Sequence, residues 1–354
     1  MLKQIAFVLA SFCVFTCAIA DAQQRALKVG TALASPAQKS QGTIEVPAGV
    51  DAATSIPVVI VQGSKPGKVL AVVSGAHGTE YASIIAVERL IQMLNPAEIS
   101  GTVVLVPLVN IPSFEQKVPH VNPVDGKSMN RFYPGNPNGT QTERASFAIT
   151  REVVEKCDHL IDLHGGDLDE NLRPYSYWAP VGKAQQDSTS REMTLAFGLD
   201  YIIISRDRPS DPNASRYLET TASLRGKPSI TAEAGRSGRV DTDDVNKLVS
   251  GVMNVMRYLN MLPGKPTMVE HPVWIERIDT LTGDQPGIFY PLVDRGTYVQ
   301  QGMAVGYVTD FYGKTIQEAR APAAGVVLYV GAVPSMKKGD TIANIGIVAS
   351  SPPQ

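Results

Sequence analysis

A histidine and a glutamate three residues apart open the chemistry of this chain. His77 and Glu80 stand in the run Ser74-Gly75-Ala76-His77-Gly78-Thr79-Glu80. An imidazole and a carboxylate this close on a turn can converge on one metal ion. A second histidine, His164, stands in Leu160-Ile161-Asp162-Leu163-His164-Gly165-Gly166 and can complete a ligand set. Catalytic zinc takes N and O ligands of this kind and keeps one position for water. Asp162, two residues before His164, faces the same side of a strand and can fix the histidine tautomer. Glu233 closes the apolar run before Gly235, where a carboxylate is costly unless paired or used. Beside a metal-bound water it would serve as general base. Asn130 and Arg131, in Ser128-Met129-Asn130-Arg131-Phe132-Tyr133-Pro134-Gly135, offer an amide donor and a guanidinium fork for a substrate carboxylate. Each feature also has a plainer reading. A histidine at a strand end often caps a turn, a glutamate just past a strand can face solvent, and most loop arginines are solvated. Two glycine-bounded histidine sites, one with its glutamate at i+3, favour the metal.

The elements that must position these side chains are legible from their periodicity. Val58 to Val61, Val69 to Val73, Thr102 to Val109, Leu160 to Leu163, Tyr201 to Ser205 and Ser229 to Ala232 are short apolar runs rich in branched residues, the pattern of buried strands. Glu80 to Leu94 has helical spacing, with Ile84, Val87, Leu90, Ile91 and Leu94 on one face. Thr142 to Cys157 and Thr242 to Leu259 also read as helices. Alternating strands and helices predict an α/β domain with a largely parallel sheet. His77, His164 and Glu233 then all fall at the carboxyl ends of strands, where open α/β sheets bind ligands. After Leu262 the character changes. Pro263-Gly264-Lys265-Pro266 reads as a linker, and Met268 to Val348 is Gly-rich with short alternating strands and no helical period, which predicts a small β-barrel or sandwich.

Lys and Arg number 32 against 34 Asp and Glu, so the net charge of −2 predicts neither nucleic acid nor another strongly charged partner. Residues 1–22 are expected to be a signal peptide. Lys3 precedes an apolar stretch from Ile5 to Ala20, with small residues at Ala18, Ala20 and Ala22 for cleavage after Ala20 or Ala22. Export, to the periplasm if the source is a Gram-negative bacterium, is expected from that reading, with no membrane association after cleavage. Cleavage removes Cys13 and Cys17 and leaves Cys157 alone, so no internal disulfide is expected and Cys157 reads as a buried thiol.

Taken together, the H-G-T-E element at His77–Glu80, N-R-F-Y-P-G at Asn130–Gly135, D-L-H-G-G at Asp162–Gly166 and E-A-G at Glu233–Gly235 resemble the succinylglutamate desuccinylase/aspartoacylase family of zinc carboxypeptidase-like hydrolases. The resemblance runs from about Val58 to about Leu259. It implies an α/β fold with a carboxypeptidase-like mixed sheet flanked by helices over residues 23–262. It implies one Zn2+ on His77, Glu80 and His164, with Glu233 as base and Asn130 and Arg131 on the substrate carboxylate. The implied reaction is amide hydrolysis of small N-acyl amino acids, with cleavage of short or cell-wall peptides as the alternative. Residues 268–350 resemble a lipoyl-like barrel, but Lys314 in the hairpin Asp310–Thr315 lacks the flanking residues of a modified lysine and reads as a solvated turn residue. Aspartoacylase-like enzymes carry a further arginine upstream of the Asn-Arg pair, and none occurs here between Ile111 and Asn130. Lys117, His120 and Lys127, or Arg173 and Arg236 from elsewhere, are the available stand-ins.

Overall fold

The structure, a computed structural model, describes residues 25–206 and 208–353. The expected signal peptide lies outside them. Four parallel strands form the centre, in the order Ser100–Val106, Lys65–Ser74, His159–His164 and Ser229–Glu233. They lie within a mixed sheet of 13 strands. Thr54–Gln62 and Gln38–Val46 extend it antiparallel on one side. On the other, Tyr175–Trp178 lies antiparallel to Ser229–Glu233, followed by Tyr201–Ile204 and Val273–Thr282, each parallel to its neighbour. The sheet is thus less parallel than the alternation of strands and helices predicts.

Residue alternation sorts the central strands between two cores. Leu70, Val72, Ile161, Leu163, Ile230 and Ala232 face a layer of three helices, Tyr81–Met93, Ala184–Phe197 and Thr242–Tyr258. Ala71, Val73, Val104 and Leu160 face the opposite way, onto helices Gln141–Ile149 and Leu218–Leu224. Ala82, Ala86, Val87 and Leu90 form the buried stripe of the first helix. Full burial of one Val or Leu side chain stabilises by roughly 1.5–3 kcal/mol, so these stripes hold the strand ends in register. The helix predicted from Thr142 to Cys157 is α-helical over Gln141–Ile149 and then widens into a π turn, Thr150–Val154. Cys157 is buried, and burial pushes its thiol up to about 12. No helix among the described residues is long and apolar enough to cross a membrane.

The C-terminal residues are β-rich, as expected, but their sheets do not close into a barrel. Val273–Thr282 pairs with Tyr201–Ile204 and carries the ladder on to Thr341–Val348, Gly325–Gly331 and Tyr298–Val299. Its first three residues, 273–275, pair with residues 201–203 of the catalytic sheet, so the ladder continues that sheet and does not close on itself. Gly287–Pro291, Ala304–Thr309, Thr315–Arg320 and Ser335–Met336 form a second antiparallel sheet. Phe289, Val305, Val308, Val327 and Ile345 fill the space between the two sheets. Lys314 is exposed in a turn whose Asp310 carboxylate accepts the backbone N–H groups of Tyr312 and Lys314.

Candidate active site

The strand Lys65–Ser74 and the helix Tyr81–Met93 are joined by a turn that only small residues allow. Gly75 has φ +70, and a Cβ on Gly78 would lie 2.3 Å from the backbone nitrogen of Phe114. That turn presents His77, and it places Glu80 at the helix N-cap. Glu80 makes no side-chain cap. Its carboxylate instead meets Nδ1 of His164 at 2.9 Å and accepts the N–H of Gly165 at 3.0 Å. Ligand atoms of His77, Glu80 and His164 lie within 4.8 Å of one another. Glu233 pairs in register with His164 on the adjacent parallel strand, so the fourth residue expected from the sequence reaches the same end of the sheet.

Both imidazoles are oriented from behind. The carbonyl of His120 faces Nδ1 of His77 at 2.9 Å. A carbonyl can only accept, so Nδ1 carries the proton and Nε2 keeps its lone pair. Asp162 Oδ2 lies 3.3 Å from Nε2 of His164, which leaves Nδ1 towards Glu80, in the orienting role its spacing suggests. The Asp162 carboxylate is buried without another hydrogen-bond partner, so its charge is balanced through that ring. Burial, then the neighbouring His164, His120 and Arg131, hold His77 well below the usual histidine range. Burial alone would discharge His164 too, but Asp162 and Glu80 outweigh it and hold its pKa well above the ordinary value. Burial raises Glu80 and Glu233 each to about 7, against the lowering field of His164.

Asp167 ties the loops together. It is fully buried, accepts the hydroxyl of Thr79 and the N–H of Leu168, and takes the N–H of His120 at 2.9 Å. Its grip on His120 fixes the carbonyl that aligns His77. The ring of His120 bonds Asp169 at 2.8 Å. Burial would lower that ring, but Asp169, Glu170 and Asp167 raise it to about 9.

His77, Glu80, His120, His164, Asp169 and Glu233 line a cleft of about 840 Å3 that also takes in Asn130, Arg131, Glu170, Tyr175, Tyr177 and Arg208. Asn130 Oδ1 accepts the N–H of Leu218, which turns its amide nitrogen to 3.4 Å from His164 Nε2. Arg131 bonds the Asn130 carbonyl at 2.6 Å and lies over the Tyr217 ring. Residues of the C-terminal sheets, Glu276, Tyr329 and Asn344 among them, form the opposite wall. Of the stand-ins for the missing arginine, His120 lines the cleft, whereas Lys127 pairs with Glu143, Arg173 with Asp200 and Arg236 with Asp241. Sequence reasoning passed over Arg208. It is held on Tyr217 at 3.9 Å from the ring centroid and pairs with buried Glu219 at 3.0 Å. Tyr175, paired in register with Glu233, and Asp167 were also missed, because a single tyrosine on a short strand and a loop aspartate carry no local pattern.

The family pattern described as the succinylglutamate desuccinylase/aspartoacylase catalytic domain matches residues 66–259. A similar protein, N-alpha-acetyl-L-2,4-diaminobutyric acid deacetylase of Halomonas elongata, is 28% identical over 305 residues, 84% of this chain and 87% of its own length. Among solved structures, the product-bound ectoine utilization protein EutE (DoeB) of Ruegeria pomeroyi superposes with a TM-score of 0.79 at 22% identity, over 87% of this chain and 95% of that one. A succinylglutamate desuccinylase from Silicibacter sp. TM1040 gives a TM-score of 0.80 at 22% identity, over 92% of this chain and all of that one (100%). The two structural likenesses bear on the fold alone. The match to residues 66–259, more than half of the chain, spans every loop that carries His77, Glu80, Asn130, Arg131, His164 and Glu233, and the chain belongs to the succinylglutamate desuccinylase/aspartoacylase family.

Proposed function

We propose that this protein is a zinc-dependent deacylase that hydrolyses the amide bond of small N-acyl amino acids. The observation that carries the reading is the meeting of two back-oriented imidazoles and a carboxylate within 4.8 Å, with Glu233 on the adjoining strand end. The donor set suits a divalent cation. His77 and His164 each have one ring nitrogen held from behind and the other left for a ligand, and burial raises the carboxyls of Glu80 and Glu233 to about 7, a cost that a bound cation would relieve. His77, Glu80 and His164 would hold the ion. When bound, zinc supplies Lewis-acid polarisation of a carbonyl and acidifies water at neutral pH.

The chain's own residues do the rest. Arg131 and Asn130 fix the substrate carboxylate and so set the amide over the strand ends. Glu233, poised near neutrality, takes the proton of the attacking water and returns it to the departing amine. Tyr175, in register opposite Glu233 on the adjoining strand, is placed to hold it for that transfer. Arg208 and His120 are the cations of the cleft wall able to face the developing oxyanion in place of the missing upstream arginine. The diaminobutyric acid deacetylase relative supports deacylation, and the peptide-cleaving alternative draws no support from it. Export to the periplasm belongs to the same proposal and rests on residues 1–22.

The test is a panel of N-acetyl and N-succinyl amino acids and unmodified dipeptides offered to the zinc-loaded protein, with free amine measured as product. Release from the N-acyl amino acids with dipeptides left intact is expected. Cleavage of dipeptides alone would replace the deacylase reading with a peptidase.

A further inference from the structure

Most charged side chains of the cleft neutralise one another. Arg208 pairs with Glu219, the ring of His120 with Asp169, and Arg277 with Glu276. Arg206 and Asp340 are exposed at its mouth. Two groups remain after the metal ligands and Glu233 are set aside. Among the described residues, Arg131 has no acidic side chain within ion-pair distance, and Glu170 has no Lys or Arg within that distance. Arg131 is the expected seat of a substrate carboxylate. Glu170 therefore stands without a Lys or Arg partner, in a cleft where an unpaired charge is costly.

The surroundings of Glu170 are those of a cation site. One oxygen accepts the N–H of Asp167 at 3.0 Å, which fixes the side chain of a residue that lines the cleft. The short strand Glu170–Leu172 pairs with Gly325–Gly331, so Tyr329 stands opposite Leu172 and Gly331 opposite Glu170. The phenols of Tyr329 and Tyr175 border the same part of the cleft, and the charge of Glu170 acts on both. A fixed carboxylate flanked by aromatic rings binds an ammonium by a charge-assisted hydrogen bond and by cation–π attraction. The field of Glu170 reaches His120, but that ring is already bonded to Asp169.

We propose that Glu170 determines specificity in this cleft and that the preferred substrates are N-acyl amino acids with a second, cationic amine on the side chain. This rests on the deacylase reading above. The substrate would then be a dipolar molecule, its carboxylate on Arg131 and its side-chain ammonium on Glu170. Burial, which raises the carboxyl of Glu170 to about 7 in the free protein, is consistent with a group awaiting a positive partner.

Three substrates with side chains of nearly equal length separate the possibilities. They are the Nα-acetyl derivatives of 2,4-diaminobutyrate, norvaline and glutamate, whose side chains are cationic, neutral and anionic. With the full-length, zinc-loaded protein at neutral pH, kcat/KM is expected to fall in that order. A charged hydrogen bond implies a gap of about 10-fold or more between the first two. Glu170→Gln should bring the diaminobutyrate derivative down to the level of the norvaline derivative, whose own kcat/KM should change little. Equal or reversed order in the wild-type protein overturns the proposal, and needs no variant that folds. A preference that survives Glu170→Gln overturns it as well. Hydrolysis of the norvaline derivative without preference for the cation sinks this inference and leaves the deacylase reading standing. Failure to hydrolyse any of the three sinks both.

Discussion

Glu233 ends its strand beside His164, with a carboxyl that burial and the nearby Glu80 raise to about 7 although His164 pulls it down. Glu233→Gln keeps the shape and one acceptor of the side chain but cannot take a proton. Turnover should fall on the order of 100-fold or more, while zinc content and melting temperature stay near wild type. Near-normal turnover would move the base to another group. His77, Glu80, His164 and Glu233 could be found in the sequence because each sits within a few residues of an apolar strand, next to glycines that mark the turn. Asp162 was legible for the same reason, through the two-residue period of a strand. Glu170, Tyr175 and Arg208 were not. They come from loops and a short strand whose approach to the cleft depends on pairing far along the chain, Tyr175 opposite Glu233 and Glu170 opposite Gly331. No local spacing encodes such a meeting.

The strands and turns that deliver these groups are coupled through Asp167. It joins the Thr79 turn to the His120 loop and thereby sets the carbonyl that orients His77. Asp167→Asn has one acceptor oxygen in place of two and must release the Thr79 hydroxyl or the His120 N–H. Loss of such an outer partner lowers metal affinity by about 10- to 100-fold. Chelator competition should read that loss in a protein that still folds, and kcat should fall more than KM rises. Unchanged zinc affinity would show the His120 carbonyl to be held without Asp167. At this scale the central strands and three of the helices were legible, because their apolar periods are strong. The helices Ala184–Phe197 and Leu218–Leu224 were not. The first buries Gln186, Ser190 and Thr194 along with Met193, Ala196 and Phe197, and the second buries Glu219, Thr220, Thr221 and Ser223, so polar residues interrupt the inward face of each. The C-terminal strands were visible as strands, but whether they close a barrel or extend a neighbouring sheet depends on the pairing of Val273–Thr282 with Tyr201–Ile204, which composition does not reveal.

Over the whole molecule, the cleft concentrates carboxyl groups that protonate unusually easily. Glu80, Glu170 and Glu233 are raised from 4.5 to about 7. In the metal-free protein these raised values favour folding below the unfolded value, and that contribution is lost as the pH rises through about 7. A divalent cation needs Glu80 ionised and His164 without its extra proton, so binding expels protons across the same window. The rise in melting temperature on adding zinc should therefore grow from about pH 5 to about pH 7.5. Melts at several pH values, with and without the metal, check this, and a constant difference would contradict it. The joining of the C-terminal strands to the catalytic sheet matters here as well, since it makes Glu276, Tyr329 and Asn344 a fixed wall of the cleft. The most direct measurement on the central claim is a titration of zinc into chelator-stripped protein while free amine from an N-acetyl amino acid is followed. Turnover is predicted to start near zero, rise in step with bound metal, and level off at about one ion per chain. Undiminished turnover by the stripped protein, or zinc bound at that ratio with no amine released from any N-acyl amino acid, would contradict it.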